Sequence, residues 1–107
     1  MTTLDPTSNH LVLINTFTVD PSRCEELYLV LTHATEEIMR HMPGFVSANL
    51  HISADQRHIA NYAQWRSMDD VQAMMKDPTA QSHMKIAAGI AQSFQPIYYA
   101  LRHCMHA

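Results

Sequence analysis

Two of the three Asp-Pro dipeptides in this chain constrain it more than any other feature. At Asp20-Pro21 and again at Asp77-Pro78, a carboxylate stands where it can accept from the free N–H groups of a first helical turn. The proline that follows has its φ already set for that turn and no N–H to satisfy. One helix therefore starts at 21 and another at 78. Before the first, HLVLINTFTV (10–19) is rich in β-branched and aromatic residues and reads as a strand. After it, Leu27, Val30, Leu31, Ala34, Ile38 and Met42 recur at helical spacing, which predicts a long amphipathic helix over 21–42, stopped by Pro43-Gly44. FVSANLHIS (45–53) and RHIANYAQWR (57–66) flank Ala54-Asp55-Gln56 and read as a β-hairpin. Ser67-Met68-Asp69-Asp70 resembles a capping box with Asp in place of Glu and opens a short helix to about Met75. The second Asp-Pro helix runs to about Gln92, and FQPIYYALRHCM (94–105) closes the chain as a strand. The order is βαββαβ with its second helical segment broken. Two such crossovers specify an α+β, ferredoxin-like sheet of four antiparallel strands with helices on one face.

With 107 residues there is room for one domain, 9–107, after a polar start (1–8) expected to be flexible. About two-thirds of the unfolded surface of such a chain can be buried, enough for a core without metal or disulfide staples. The composition, 47% hydrophobic and 16% charged, is globular. A net charge of −3 with scattered Lys and Arg argues against nucleic acid, which needs a basic stripe. No apolar run approaches the ~18 residues that would suggest a membrane span. The first residues lack the charged and apolar regions of a signal peptide, so a cytoplasmic location is expected. Only Gly44 and Gly89 occur, which excludes glycine-rich phosphate cradles. Cys24 and Cys104 lie far apart with no CxxC, and read as two buried or half-buried thiols, a distant disulfide being the alternative.

Strand alternation sorts the side chains into faces. The first strand divides into Leu11, Leu13, Asn15, Phe17 and Val12, Ile14, Thr16, Thr18; the third into Ile59, Asn61, Ala63, Trp65 and His58, Ala60, Tyr62, Gln64. Unbroken alternation in the second gives Phe45, Ser47, Asn49, His51 against Val46, Ala48, Leu50, Ile52. Apolar residues fall on both faces, and two helical segments cover one. The other would expose several hundred Å² of apolar surface, so a homodimer packed sheet to sheet is expected.

Asparagine is depleted in strands, and burying a carboxamide without partners costs roughly 1–3 kcal/mol. Asn15 and Asn61 both sit mid-strand, and Trp65 shares a face with Asn61. Such residues ordinarily bond a neighbour or a backbone irregularity; the alternative is that Asn15, Asn61 and Trp65 line a cavity between sheet and helices. Of eight histidines, His51 and His83 are the candidates for a pocket. The hairpin register decides for His51: with Asn61 opposite Asn49 it faces the cavity, whereas a one-residue slip sets Asn61 opposite Leu50 and turns His51 to the dimer side. No HExxH or 2-His-carboxylate pattern signals a metal. Met74, Met75 and Met84 suit core filling or the wall of a pocket for a flat aromatic guest.

The layout, with Ile14-Asn15-Thr16-Phe17, Pro43-Gly44-Phe45 and Asn61-Tyr62-Ala63-Gln64-Trp65-Arg66-Ser67, resembles the antibiotic biosynthesis monooxygenase family over roughly residues 10–102. The resemblance implies a dimeric α+β barrel. It also implies a cofactor-independent oxidation of an electron-rich phenol, quinol or anthrone by O₂ to a quinone. Asn15, Asn61 and Trp65 match the positions implicated in catalysis, with His51, Phe17, Phe45, Met74 and His83 expected around the substrate. The implied chemistry needs no flavin or metal: the substrate anion reduces O₂, a peroxide forms, and it collapses to quinone and water. The asparagines would donate to the developing oxyanion, Trp65 would form a wall, and a protein base, if used, would be His51 or His83. Where some members carry a tyrosine and an arginine in the later helices, this chain has Val71 and Lys85. Two other readings remain: haem degradation, with a histidine near His83 as axial ligand but Met74 and Met75 where a tryptophan is needed, and a non-catalytic ligand-binding or stress dimer of the same fold.

Overall fold

Each cap signal does in the structure what its chemistry requires. In the computed structural model, which describes residues 1–107, Asp20 Oδ1 accepts from the Ser22 N–H at 2.9 Å, Ser67 Oγ from Asp70 at 3.2 Å, and Asp77 Oδ2 from Ala80 at 3.2 Å. The elements that follow are β1 (Leu11–Thr18), α1 (Cys24–Glu37), β2 (Phe45–Ile52), β3 (His58–Trp65), α2 (Met68–Met75), α3 (Pro78–Ile90) and β4 (Ser93–Ala100). The strands form one antiparallel sheet in the order β2-β3-β1-β4, the expected ferredoxin-like arrangement.

The first helix is shorter than its periodicity suggests. A 3-10 turn at Pro21–Arg23 precedes α1, and a second at Met39–His41 follows it, with Ile38 (φ −125°, ψ −64°) outside helical geometry. Glu36 and Glu37 occupy the last turn, where the helix dipole disfavours negative charge. Thr32 and Thr35 donate back to the carbonyls of Tyr28 and Leu31, a bond that loosens a helix locally. β4 ends at Ala100 rather than 105, because β1 begins at its partner Leu11 and offers no ladder beyond.

The consequential difference lies in β2. A bulge between Phe45 and Ser47 leaves Val46 unpaired, so that Phe45 opposes Trp65 but Ser47 opposes Gln64 and Leu50 opposes Asn61. One extra residue reverses the alternation downstream of it. Phe45, Ala48 and Leu50 therefore share the helix side, while Ser47, Asn49 and His51 face the other way.

The helix side holds two core clusters. One gathers Phe17, Val19, Cys24, Leu27, Ile59, Ala87 and Ile90; the other gathers Ala63, Trp65, Val71, Met74 and Ala80. Both cysteines are free, Cys24 buried in the first cluster and Cys104 half-buried. Gly44 (φ +82°) makes the turn into β2, and its carbonyl accepts from the Arg66 N–H at 2.7 Å.

The opposite face is covered only in part. The polar start, expected to be flexible, lies against its β2–β3 side: Thr2 Oγ1 donates to Asn49 Oδ1 (2.7 Å), and Gln64 Nε2 donates to the Thr3 carbonyl (2.9 Å). Ser47 Oγ completes the buried Gln64 by donating to its Oε1 at 2.7 Å. Towards β4 the same face is bare, with Ile97 39% and Tyr99 45% exposed beside half-buried Ile14 and Tyr62.

Candidate active site

Between the two core clusters the helices stand away from the sheet over a cavity of about 170 Å³. Small side chains open it: Ala48 and Ala63 on the sheet, Ala34, Ala87 and Ala88 on α1 and α3. A cavity of ~150 Å³ holds one benzene ring, so a fused polycycle here extends through the mouth. That mouth lies at Met84 and Phe94, which line the cavity yet remain exposed, Phe94 by 51%.

The ladder builds the polar part of the floor. Asn15 pairs directly with Asn61 across β1 and β3, in a row running Leu50, Asn61, Asn15, Pro96. Both carboxamides line the cavity, and both Oδ1 atoms are enclosed without a hydrogen-bond partner. Neither asparagine therefore serves as the neighbour-bonded strand residue that such positions ordinarily hold. Trp65 is 2% exposed and lies edge-on to Phe45, ring centroids 5.5 Å apart at 87°. Phe17 packs against Phe94, ring centroids 6.2 Å apart, and both line the cavity.

Of the residues singled out from the sequence, Asn15, Asn61, Trp65, Phe17, Phe45, Met74 and His83 all line this cavity. His51 does not. The bulge at Val46 carries it to the other face, opposite Ala60, where it is exposed. Thr35 and Met39, which the sequence reading did not single out, also line the cavity. Leu31 and Ala34 beside them gave a periodic signal, but periodicity marks a buried face without saying whether protein or guest fills it.

Ionisable chemistry is sparse here. The carboxyls of Asp5, Asp20, Asp55 and Asp70 are held below the usual range first by side-chain hydrogen bonds from Thr7, Ser22, Ser53 and Arg66 respectively, all at turns and caps. Burial pushes the Cys24 thiol up. None of these groups lines the cavity. No group of three or more His, Cys, Asp or Glu is arranged to hold a metal ion.

An antiparallel α+β sheet, roofed on one face by helices over a ligand-sized apolar cavity with a paired-carboxamide floor, defines a ferredoxin-like small-molecule-binding class. The comparisons with known proteins narrow it. The family model for antibiotic biosynthesis monooxygenase matches residues 10–86. Tetracenomycin-F1 monooxygenase of Streptomyces glaucescens is 40% identical over 107 residues, spanning 100% of this chain and 95% of that protein. The crystal structure of the ActVA-Orf6 monooxygenase of Streptomyces coelicolor in complex with nanaomycin D superposes with a TM-score of 0.86 at 27% identity, covering 96% of each chain. SnoaB of Streptomyces nogalater, a cofactor-independent oxygenase, shares the fold with a TM-score of 0.75 at 19% identity over 91% of this chain and 97% of its own. The chain belongs to the antibiotic biosynthesis monooxygenase family.

Proposed function

We propose that the protein is a cofactor-independent monooxygenase that oxidises an electron-rich polycyclic phenol or anthrone with O₂ to the quinone, releasing water. The observation that carries this reading is the pair of enclosed, unpartnered carboxamide oxygens on the floor of an apolar cavity. An orphaned buried acceptor costs roughly 1–3 kcal/mol, which a hydroxyl-bearing guest offsets. Each carboxamide also carries an NH₂ that donates to an oxyanion, so Asn15 and Asn61 can hold the guest both before and after it loses a proton. In a site from which water is excluded, one such donor is worth about 3 kcal/mol to a charged transition state. Trp65 and Phe45 supply the flat apolar walls, with Met74 filling beneath them. The anion itself reduces O₂, so the protein has to stabilise negative charge and exclude bulk water. The 40% identity to tetracenomycin-F1 monooxygenase supports the same chemistry.

The working unit is a homodimer joined through the bare sheet face, in the cytoplasm. Ile14, Tyr62, Ile97 and Tyr99 lie in adjacent register there and present one apolar patch. Pro96, in the middle of edge strand β4, lacks the N–H that strand addition would use, which favours face-to-face docking over edge pairing.

O₂ uptake by purified protein without added cofactor, over a panel of anthrones, naphthols and hydroquinones, tests the reading. Turnover is expected with at least one class, and Asn61→Ala and Trp65→Phe are each expected to lose tenfold or more. Wild-type turnover with none of the panel would remove the oxygenase assignment, and unchanged rates in both variants would remove the carboxamide–indole mechanism.

A further inference from the structure

We propose that His83 is the general base that starts the reaction, taking a proton from the guest on the helix side of the cavity while Asn15 and Asn61 hold the resulting oxyanion on the sheet side. This inference rests on the oxygenase reading and adds the group that reading lacks. Of the side chains lining the cavity, His83 alone is ionisable. A carboxamide accepts no proton near neutrality, and the Thr35 hydroxyl already donates to the Leu31 carbonyl at 2.9 Å. An imidazole is suited to proton transfer at neutral pH. His83 is half-buried on α3 one residue from Met84 at the mouth, so it reaches both the guest and water.

The ring's surroundings are simple. From α1, His33 packs against it, ring centroids 5.7 Å apart at 34°. Glu36 and Glu37 of α1, Asp69 and Asp70 of α2, and Lys85 of α3 itself line no part of the cavity, and the strands contribute no ionisable lining residue. Tyr98, on the helix side of β4, directs its hydroxyl to Met75 Sδ at 3.8 Å.

Base and oxyanion holders therefore stand on opposite walls, which selects the guest. In an anthrone the acidic C–H lies across the ring from the carbonyl whose oxygen becomes the anion. In a naphthol the acidic O–H and the oxyanion are the same atom. The arrangement fits an anthrone that carries a hydroxyl beside its carbonyl: the hydroxyl donates to a carboxamide Oδ1, and the NH₂ groups hold the oxyanion. His83 takes one C–H proton, leaving a carbanion delocalised onto the oxygen facing the asparagines. The anion gives one electron to O₂, and the resulting radical and superoxide join through a new C–O bond. The peroxide anion takes the proton back from the imidazolium. Loss of the second C–H proton and cleavage of O–O then release water and leave C=O, with the imidazole free again.

Two measurements test this. Under anaerobic conditions, an anthrone bound to wild-type protein is expected to show the red-shifted absorption of its anion, and with His83→Gln that signal is expected to fall at least tenfold while quenching of Trp65 still reports binding. In air, wild-type kcat/KM for the anthrone is expected to rise with pH. His83→Gln should lose tenfold or more in kcat together with that rise, KM should change less than threefold, and added imidazole should restore part of the turnover of His83→Ala. Equal anion formation in His83→Gln, or a pH rise that survives the substitution, would overturn the assignment. Anion formation that depends on His83 without O₂ uptake would instead sink the oxygenase reading and leave His83 as a base.

Discussion

Asn15 and Asn61 face each other across the β1–β3 ladder with both carboxamide oxygens enclosed and neither bonded. Enclosed acceptors without donors are rare in folded proteins, and here two stand side by side. Their neighbours on the sheet, Ala63 and Leu13 to one side and Ile59 and Phe17 to the other, offer no polar atom on their side chains.

Function and stability should consequently part company here. Asn61→Leu replaces an unsatisfied amide by an apolar group of similar volume, so its melting temperature is expected to equal or exceed that of wild type. O₂ uptake should fall tenfold or more. Calorimetry paired with an oxygen electrode checks both halves, and a destabilised variant would show that the amide is bonded in solution.

Ile97 projects from the bare sheet face of β4. Wild-type protein is expected to sediment as a dimer at micromolar concentration, and Ile97→Asp as a monomer, since a charge buried at an interface core without a partner costs several kcal/mol. A variant that remains dimeric would place the interface elsewhere.

At Gly44, φ is +82° and an added Cβ would collide with the Asp70 side chain. Asp70 is held in place by Arg66 Nε and Nη2, at 2.9 and 2.8 Å, and by Ser67 Oγ at 2.7 Å. Gly44→Ala is therefore expected to cost about 2 kcal/mol or more, combining left-handed strain with displacement of the α2 cap. Urea denaturation measures it; a loss below ~0.5 kcal/mol would mean that the turn relaxes freely.

Two groups of opposite sign set the pH range. Asp5, Asp20, Asp55 and Asp70 have lowered folded pKa values, so the stability they contribute is present above the unfolded carboxylate value of about 4 and is lost as pH falls through the lowered ones. The Cys24 thiol is raised by burial, so its contribution holds below the unfolded value of about 8.5 and is lost as pH rises through the higher one. Melting temperature against pH is expected to be flat between these limits and to fall beyond each. Asp70→Asn should reduce the acid fall and Cys24→Ala the alkaline one.

Much of the architecture was legible because its signals are local. Asp20, Ser67 and Asp77 cap helices through atoms two or three residues away, and the alternation of β1 and β3 needs only neighbouring residues to place Asn15, Asn61 and Trp65 on one face. His51 was not legible. Its orientation depends on one unpaired residue, Val46, and the turn at Ala54-Asp55-Gln56 lacks the Asn-Gly or Asp-Gly pattern that pins a register. Nor did periodicity show where helix 21–42 would yield to turns.

The sequence by itself thus determined the element order, the caps and the common face of two asparagines and an indole, because each follows from short-range geometry and side-chain period. Only the tertiary structure decided that the bulge turns His51 away, that small residues on separate elements leave an unfilled space between two core clusters, and that His83 of α3 borders it opposite the carboxamides. Those are outcomes of how distant segments pack, and no local pattern encodes the gap they leave.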